Sequence, residues 1–131
     1  MEKKNPIEEA RRYVANAKEV IKKAELDEKL HIYNDPKYVK MAGNTLWNGC
    51  LIALDAALGM RKNLKKDQRL SIDDYKAAAA KRDKKLLSDI VKAYTKIHLS
   101  MGYDGDQDPD TSKSGFSLAK DIIDRCAILI K

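Results

Sequence analysis

The sequence predicts an all-α protein, an up-and-down four-helix bundle with one extra short helix. Three observations point there. Only three prolines and six glycines interrupt 131 residues, too few for an all-β chain of many turns. The hydrophobic fraction is 44% with only 6% aromatic residues, a composition of Ala, Leu and Ile packed between helices. Apolar residues also recur at spacings of three and four along most of the chain. A chain of this length supports one hydrophobic core, so residues 1–131 are read as a single helical-bundle domain.

Asn5-Pro6 opens the first helix, with Asn5 as the cap and Glu8-Glu9 favourable in the first turn. Ile7, Ala10, Val14, Ala17, Ile21 and Ala24 form its buried stripe. The pattern weakens after Glu25, so Leu26 to Asn34 reads as a connection in which His31 is an exposed loop residue.

The central helix is expected from about Pro36 to Leu58. Asp35-Pro36 supplies its start and Gly59 its C-terminal cap. Between Met41 and Met60 only Asp55 carries a charge, in a chain that is 35% charged. A helix apolar nearly all round is buried on several sides. Gly43 and Gly49 each cost roughly 1 kcal/mol against Ala inside a helix, which predicts close approach of neighbouring helices at both. Asn44, Asn48 and Asp55 share one face, at offsets of 4 and 7. Buried, they would need Tyr, Lys, Arg or His partners from other helices. The seam is either a structural hydrogen-bond network or a ligand-facing one.

Arg61 to Leu70 is polar and basic. Ser71, followed three residues later by Asp74, offers a capped N-terminus for a short helix over Tyr75 to Lys81. Asp83 caps a long helix from Lys84 to about Met101, with a stripe of Leu87, Ile90, Val91, Tyr94, Ile97, His98 and Met101. Gly102 ends it. Tyr103 to Lys113 reads as a loop. The last helix begins near Ser112 or Ser114 and runs to Ile130, with a stripe of Phe116, Ala119, Ile122, Ile123, Cys126 and Ile130.

The net charge of +6 sits entirely between Arg61 and Lys85, where ten Lys and Arg face four Asp. Such a block suits phosphates or an acidic partner, so segment 61–85 makes nucleic acid a candidate. Only Tyr75 interleaves it, which gives little for bases to stack on. Cys50 and Cys126 fall on apolar helix faces and read as buried thiols of a reducing compartment. The N-terminal stretch has no secretory apolar region. Asp55, with two Asn, makes residues 41–60 too costly for a bilayer, at about 2.5–3.5 kcal/mol for the Asp alone. A cytoplasmic protein without a membrane segment is expected.

Asp104, Asp106, Asp108 and Asp110 alternate as calcium ligands can, but Pro109 and Gly115 stand where an EF-hand loop needs Gly and Glu. No metal and no cofactor is expected. His98 is alone on its helical core face; Tyr94 shares that face and Lys92 lies six residues earlier. No Ser/His/Asp or Cys/His set can be assembled, so no catalytic site is assigned.

Tyr38-Val39-Lys40-Met41-Ala42, Leu46-Trp47-Asn48-Gly49 and Leu54-Asp55-Ala56 resemble segments of a small uncharacterised all-helical bacterial family, a domain of unknown function. Lys84-Lys85-Leu86-Leu87, Ala93-Tyr94, Ile97-His98-Leu99 and Gly102-Tyr103-Asp104-Gly105 extend the resemblance over most of the chain. Its layout is similar to the HEPN (higher eukaryotes and prokaryotes nucleotide-binding) bundles, which include RNA-cleaving toxins and substrate-binding partners of minimal nucleotidyltransferases. The cleaving HEPN branch carries Arg, four to six residues, then His on a late helix. The nearest match in this sequence is Lys92, five residues, then His98. Lys lacks the planar two-point grip of Arg on phosphate, which argues against cleavage.

A non-catalytic binding or interaction bundle is therefore expected, its partner another protein or a second copy of itself. The alternative is a nucleotide- or RNA-binding HEPN protein, with Asn44, Asn48, Asp55, Tyr94 and His98 around one cleft. At its extreme this would be a degenerate RNase using Lys92 and His98.

Overall fold

The computed structural model describes residues 5–62, 64–65 and 67–130. The protein is all-α apart from one minimal strand pair. Helix α1 spans Pro6–Lys22, α2 Pro36–Leu58, α3 Ile72–Arg82, α4 Lys84–Ala93 and α5 Pro109–Ile130. Strands β1 (Leu26–Asp27) and β2 (Ile32–Tyr33) pair antiparallel, and a π-helix, Tyr94–Tyr103, continues α4.

Local chemistry sets the helix ends. Asn5 Oδ1 accepts from the Ile7 amide at 2.9 Å, and Asp35 Oδ1 from the Lys37 amide at 3.0 Å. Gly59 closes α2 in the left-handed region, at φ 61°. Ser71 and Asp74 form a reciprocal capping box, the Asp74 carboxylate accepting from the Ser71 amide at 2.7 Å. Asp83 is the joint between α3 and α4. Its carboxylate accepts from the Leu86 amide at 2.9 Å and pairs with Arg125 of α5 at 2.6 Å. The amide hydrogen bond, reinforced by Arg125, holds the Asp83 carboxyl below the usual carboxylate range. Beside it Arg82 donates to Ala57 O at 2.7 Å and to Leu129 O at 2.8 Å, placing one cation on the last carbonyls of both α2 and α5.

Helix α2 packs against α1, α5 and the π-helix, and supplies Leu46, Cys50, Ala53 and Leu54 to the centre of the core. From α1 come Ile7, Ala10, Ala17 and Ile21, and from α5 Ala119, Ile122, Ile123 and Cys126. Both thiols are free and buried. Loss of solvation pushes the Cys50 thiol upward and the Cys126 thiol up to about 12. Among the described residues no helix is long and apolar enough to cross a membrane.

Three expectations need correction. The Leu26–Asn34 connection contains the β1–β2 ladder. It is tied to the later loop by Tyr33 N donating to Gln107 O at 2.9 Å and Gln107 Nε2 to Tyr33 O at 2.7 Å. Helix α5 begins at Pro109, because Asp106 and Asp108 accept the Asp108 and Asp110 amides at 2.9 Å and so order the turn early. The long helix after Asp83 is not one α-helix. Its buried stripe is Leu86, Ile90, Ala93, Ile97 and Met101, one residue off the expected start, with Leu87 half-buried and Val91 exposed. From Tyr94 the turns widen, and the Asp104 amide donates at 2.8 Å to Leu99 O, five residues back.

Gly43 and Gly49 do mark close crossings. A β-carbon on Gly49 would lie 3.0 Å from Tyr13 Cβ of α1. One on Gly43 would lie 2.5 Å from Gly102 N and 2.6 Å from Met101 Cβ, against backbone that has no free rotamer to yield. Gly43→Ala is expected to lower stability by about 1–3 kcal/mol, the range for overpacking a tight core. The midpoint of chemical denaturation reads it, and an unchanged midpoint would show that the crossing tolerates expansion.

Candidate functional site

Where α4 passes into the π-helix, Tyr94 and His98 stand four residues apart and stack at 5.2 Å between ring centroids. Across from them on α2 is Trp47, the only tryptophan of the chain, 6.0 Å from Tyr94 and 5.5 Å from His98. The tilted geometries are those favoured by ring quadrupoles. Leu51, Leu70, Ser71, Ile72 and Tyr75 complete the walls of a cavity of about 410 Å³ that opens beside the three rings. His98 Nδ1 is buried there and has no hydrogen-bond partner among the described residues. Buried imidazole nitrogens are normally paired, so this atom, enclosed by protein, is an exception within the residues that line the pocket.

Asp55 and Tyr75 form one flank. The Tyr75 hydroxyl donates to Asp55 Oδ1 at 2.5 Å, and Arg61 Nε donates to Asp55 Oδ2 at 3.0 Å. These are the tyrosine and arginine partners that a carboxylate on α2 requires. The short charge-assisted bond fixes the Tyr75 ring against the cavity. Burial, then the hydrogen bond to Asp55, pushes the Tyr75 phenol well above its ordinary value.

The other candidates go elsewhere. Asn44 is exposed and sits over the α2–π-helix crossing, its amide 3.5 Å from Gly102 O, a long contact. Asn48 is also exposed and makes no side-chain hydrogen bond among the described residues. The polar seam therefore divides: Asp55 reaches the aromatic pocket through Tyr75, while the two amides face outward. Lys92 lines a different cleft, of about 740 Å³, between α4 with the π-helix and α5. Lys92 and His98 do not share a cavity. In the Asp-rich turn, ligand atoms of His31, Asp108 and Asp110 lie within 4.8 Å of one another, all exposed. His31 Nε2 and Asp110 Oδ1 are 3.0 Å apart.

Two residues of the pocket escaped the sequence reading. Trp47 was legible as part of the apolar surface of α2, and its spacing of four from Gly43 puts it beside the crossing. Tyr75 belongs to a separate short helix, and only the tertiary arrangement brings it to Asp55.

The Asp55–Tyr75 bond makes a pH-dependent prediction. A phenol whose pKa is raised by folding stabilises the native state fully below its unfolded pKa, near 10, and that contribution is lost as pH rises toward the folded value. Tyr75→Phe should cost about 1.5–3 kcal/mol at neutral pH, as for a hydrogen bond to a charged group. Denaturation curves above pH 10 should show the difference from wild type shrinking. A pH-independent difference would mean that neither burial nor the Asp55 hydrogen bond raises the phenol's pKa on folding.

With this geometry in view, the comparisons with other proteins are informative about ancestry rather than activity. No curated protein matches the chain. A solved structure, described as a protein of unknown function from Dyadobacter fermentans, is similar over 92% of both chains, with 39% identity and a TM-score of 0.80. The family model described as "Domain of unknown function (DUF5618)" matches residues 5–127, and the chain belongs to that family.

Proposed function

We propose that the protein is a non-catalytic binding module, built on an HEPN-like up-and-down four-helix frame, that takes a small planar ligand in the Trp47–Tyr94–His98 pocket. The observation that carries this reading is the set of three rings, Trp47, Tyr94 and His98, that line one open cavity. The cavity of about 410 Å³ is of a size for one ring system and its substituents. Three aromatic rings favour a flat heterocycle over an aliphatic chain, and base–aromatic stacking contributes about 1–3 kcal/mol per base. A nucleobase is thus the ligand class that fits best, which favours the nucleotide- or RNA-binding alternative over a protein surface.

Several features support binding without chemistry. The Tyr75 hydroxyl is committed to Asp55, both thiols are buried, and Lys92 lies in another cleft from His98. The Ser71 hydroxyl, which also lines the pocket, donates to the Asp74 carboxylate at 3.1 Å and not to His98, so a nucleophile paired with the imidazole is not assembled there.

Trp47 reports directly on occupancy. Titration of the full chain with adenosine and AMP should give a saturable change in tryptophan emission, in the micromolar to millimolar range of Kd expected for a single stacked ring. His98→Ala and Tyr94→Ala should each weaken it by roughly tenfold, about 1.4 kcal/mol. A short labelled RNA should emerge intact on a gel. No saturable response up to ~10 mM would count against the nucleobase. RNA cleavage abolished by His98→Ala would overturn the non-catalytic reading.

A further inference from the structure

The larger cleft, on the opposite side of the α4–π-helix rod, has a chemistry of its own. Its volume is about 740 Å³, well within the range of small-molecule sites. Lys92 and Lys96, four residues apart, rise from one wall, and Lys113 of α5 from the other. Among the described residues none of these three ammonium groups is ion-paired. Other cations on α4 and α5 are paired: Lys85 with Asp89 at 2.7 Å, Lys120 with Asp124 at 2.8 Å and Arg125 with Asp83 at 2.6 Å. The one carboxylate of the cleft, Asp110, has His31 Nε2 at 3.0 Å. Three lysines against one carboxylate therefore line one concavity, leaving it net positive, and low-dielectric walls focus that field. Between them the walls carry apolar surface: Leu118 is half-buried and Val91 is 44% exposed.

We propose that this cleft is a second binding site, for a small soluble amphipathic anion. Its carboxylate or phosphate head lies among Lys92, Lys96 and Lys113, and its apolar body lies on Val91 and Leu118. The hydroxyls of Thr95 and Ser117 line the same walls and can donate to the head group. A nucleic acid fits less well, because the cleft has no aromatic ring for a base. The inference is independent of the nucleobase pocket, from which it shares no lining residue.

Calorimetric titration of the full chain with octyl phosphate, octanoate, octanol and inorganic phosphate tests it. Both amphipathic anions should bind, and octanol and inorganic phosphate each roughly tenfold more weakly or worse. Combining Lys92→Gln, Lys96→Gln and Lys113→Gln should weaken octyl phosphate by roughly tenfold. These side chains are exposed and unpaired, so the thermal unfolding midpoint without ligand should stay close to that of wild type. Val91→Gln alone should weaken octanoate without abolishing the salt dependence of binding. Equal binding of octanol would reduce the cleft to a greasy groove and overturn the proposal. Inorganic phosphate binding as well as octyl phosphate would do the same, by making it a bare anion site. Unchanged affinity in the triple variant, or sedimentation with phosphatidylglycerol vesicles without binding of soluble octyl phosphate, would also overturn it.

Discussion

At the crossing of α2 and the π-helix, Gly43 and Gly102 meet so closely that a β-carbon on either would collide with the opposite chain, at 2.5 Å from Gly102 N or 2.7 Å from Asn44 Oδ1. Such contact forgoes side-chain burial at that point but brings two backbones, and everything attached to them, into fixed relation. Trp47, one turn beyond Gly43, is thereby held opposite Tyr94 and His98. Met101, fully buried next to the crossing, locks the same joint to α5, where its sulfur lies 2.7 Å from the position a β-carbon on Gly115 would take. The aromatic pocket is a by-product of how near the helices come.

The α4–π-helix rod separates two cavities of unlike character. On one side are rings and an unpaired imidazole nitrogen; on the other are lysines over an apolar floor. Both draw on the same short stretch, because Thr95 and Lys96 face one cleft while Tyr94 and His98 face the other. A change in the turn geometry between Ala93 and Ile97 would reposition both walls together. π-helical turns are uncommon and recur at functional sites, and this one extends over ten residues.

Much of the fold is legible in the residues alone. Asp35-Pro36 and Gly59 bound α2 because caps and the left-handed glycine act locally. Gly43 and Gly49 announce close crossings because nothing else justifies glycine inside a long helix. The π-helix is not legible. An i→i+5 ladder leaves Tyr94 and His98, or Ile97 and Met101, four apart as an α-helix would. The outward placement of Asn44 and Asn48 was equally hidden, since one face of α2 is left without a covering helix and helical periodicity does not say which. The basic excess of segment 61–85 suits phosphates, an acidic partner or a simply solvated surface. The structure commits Arg61 to Asp55, Arg82 to two helix ends and Lys85 to Asp89, and it gathers three lysines from outside that segment, Lys92, Lys96 and Lys113, along the cleft between the α4–π-helix rod and α5.

Cys50 and Cys126 sit in the middle of this packing, with solvation loss holding both as protonated thiols. An alkylating reagent meets a reactive thiolate only when the helices part. The rate of modification then becomes a clock for the opening of the core, one sulfur on α2 and one on α5. Equal rates would mean that the helices separate as a single cooperative unit, and unequal rates would order their departures.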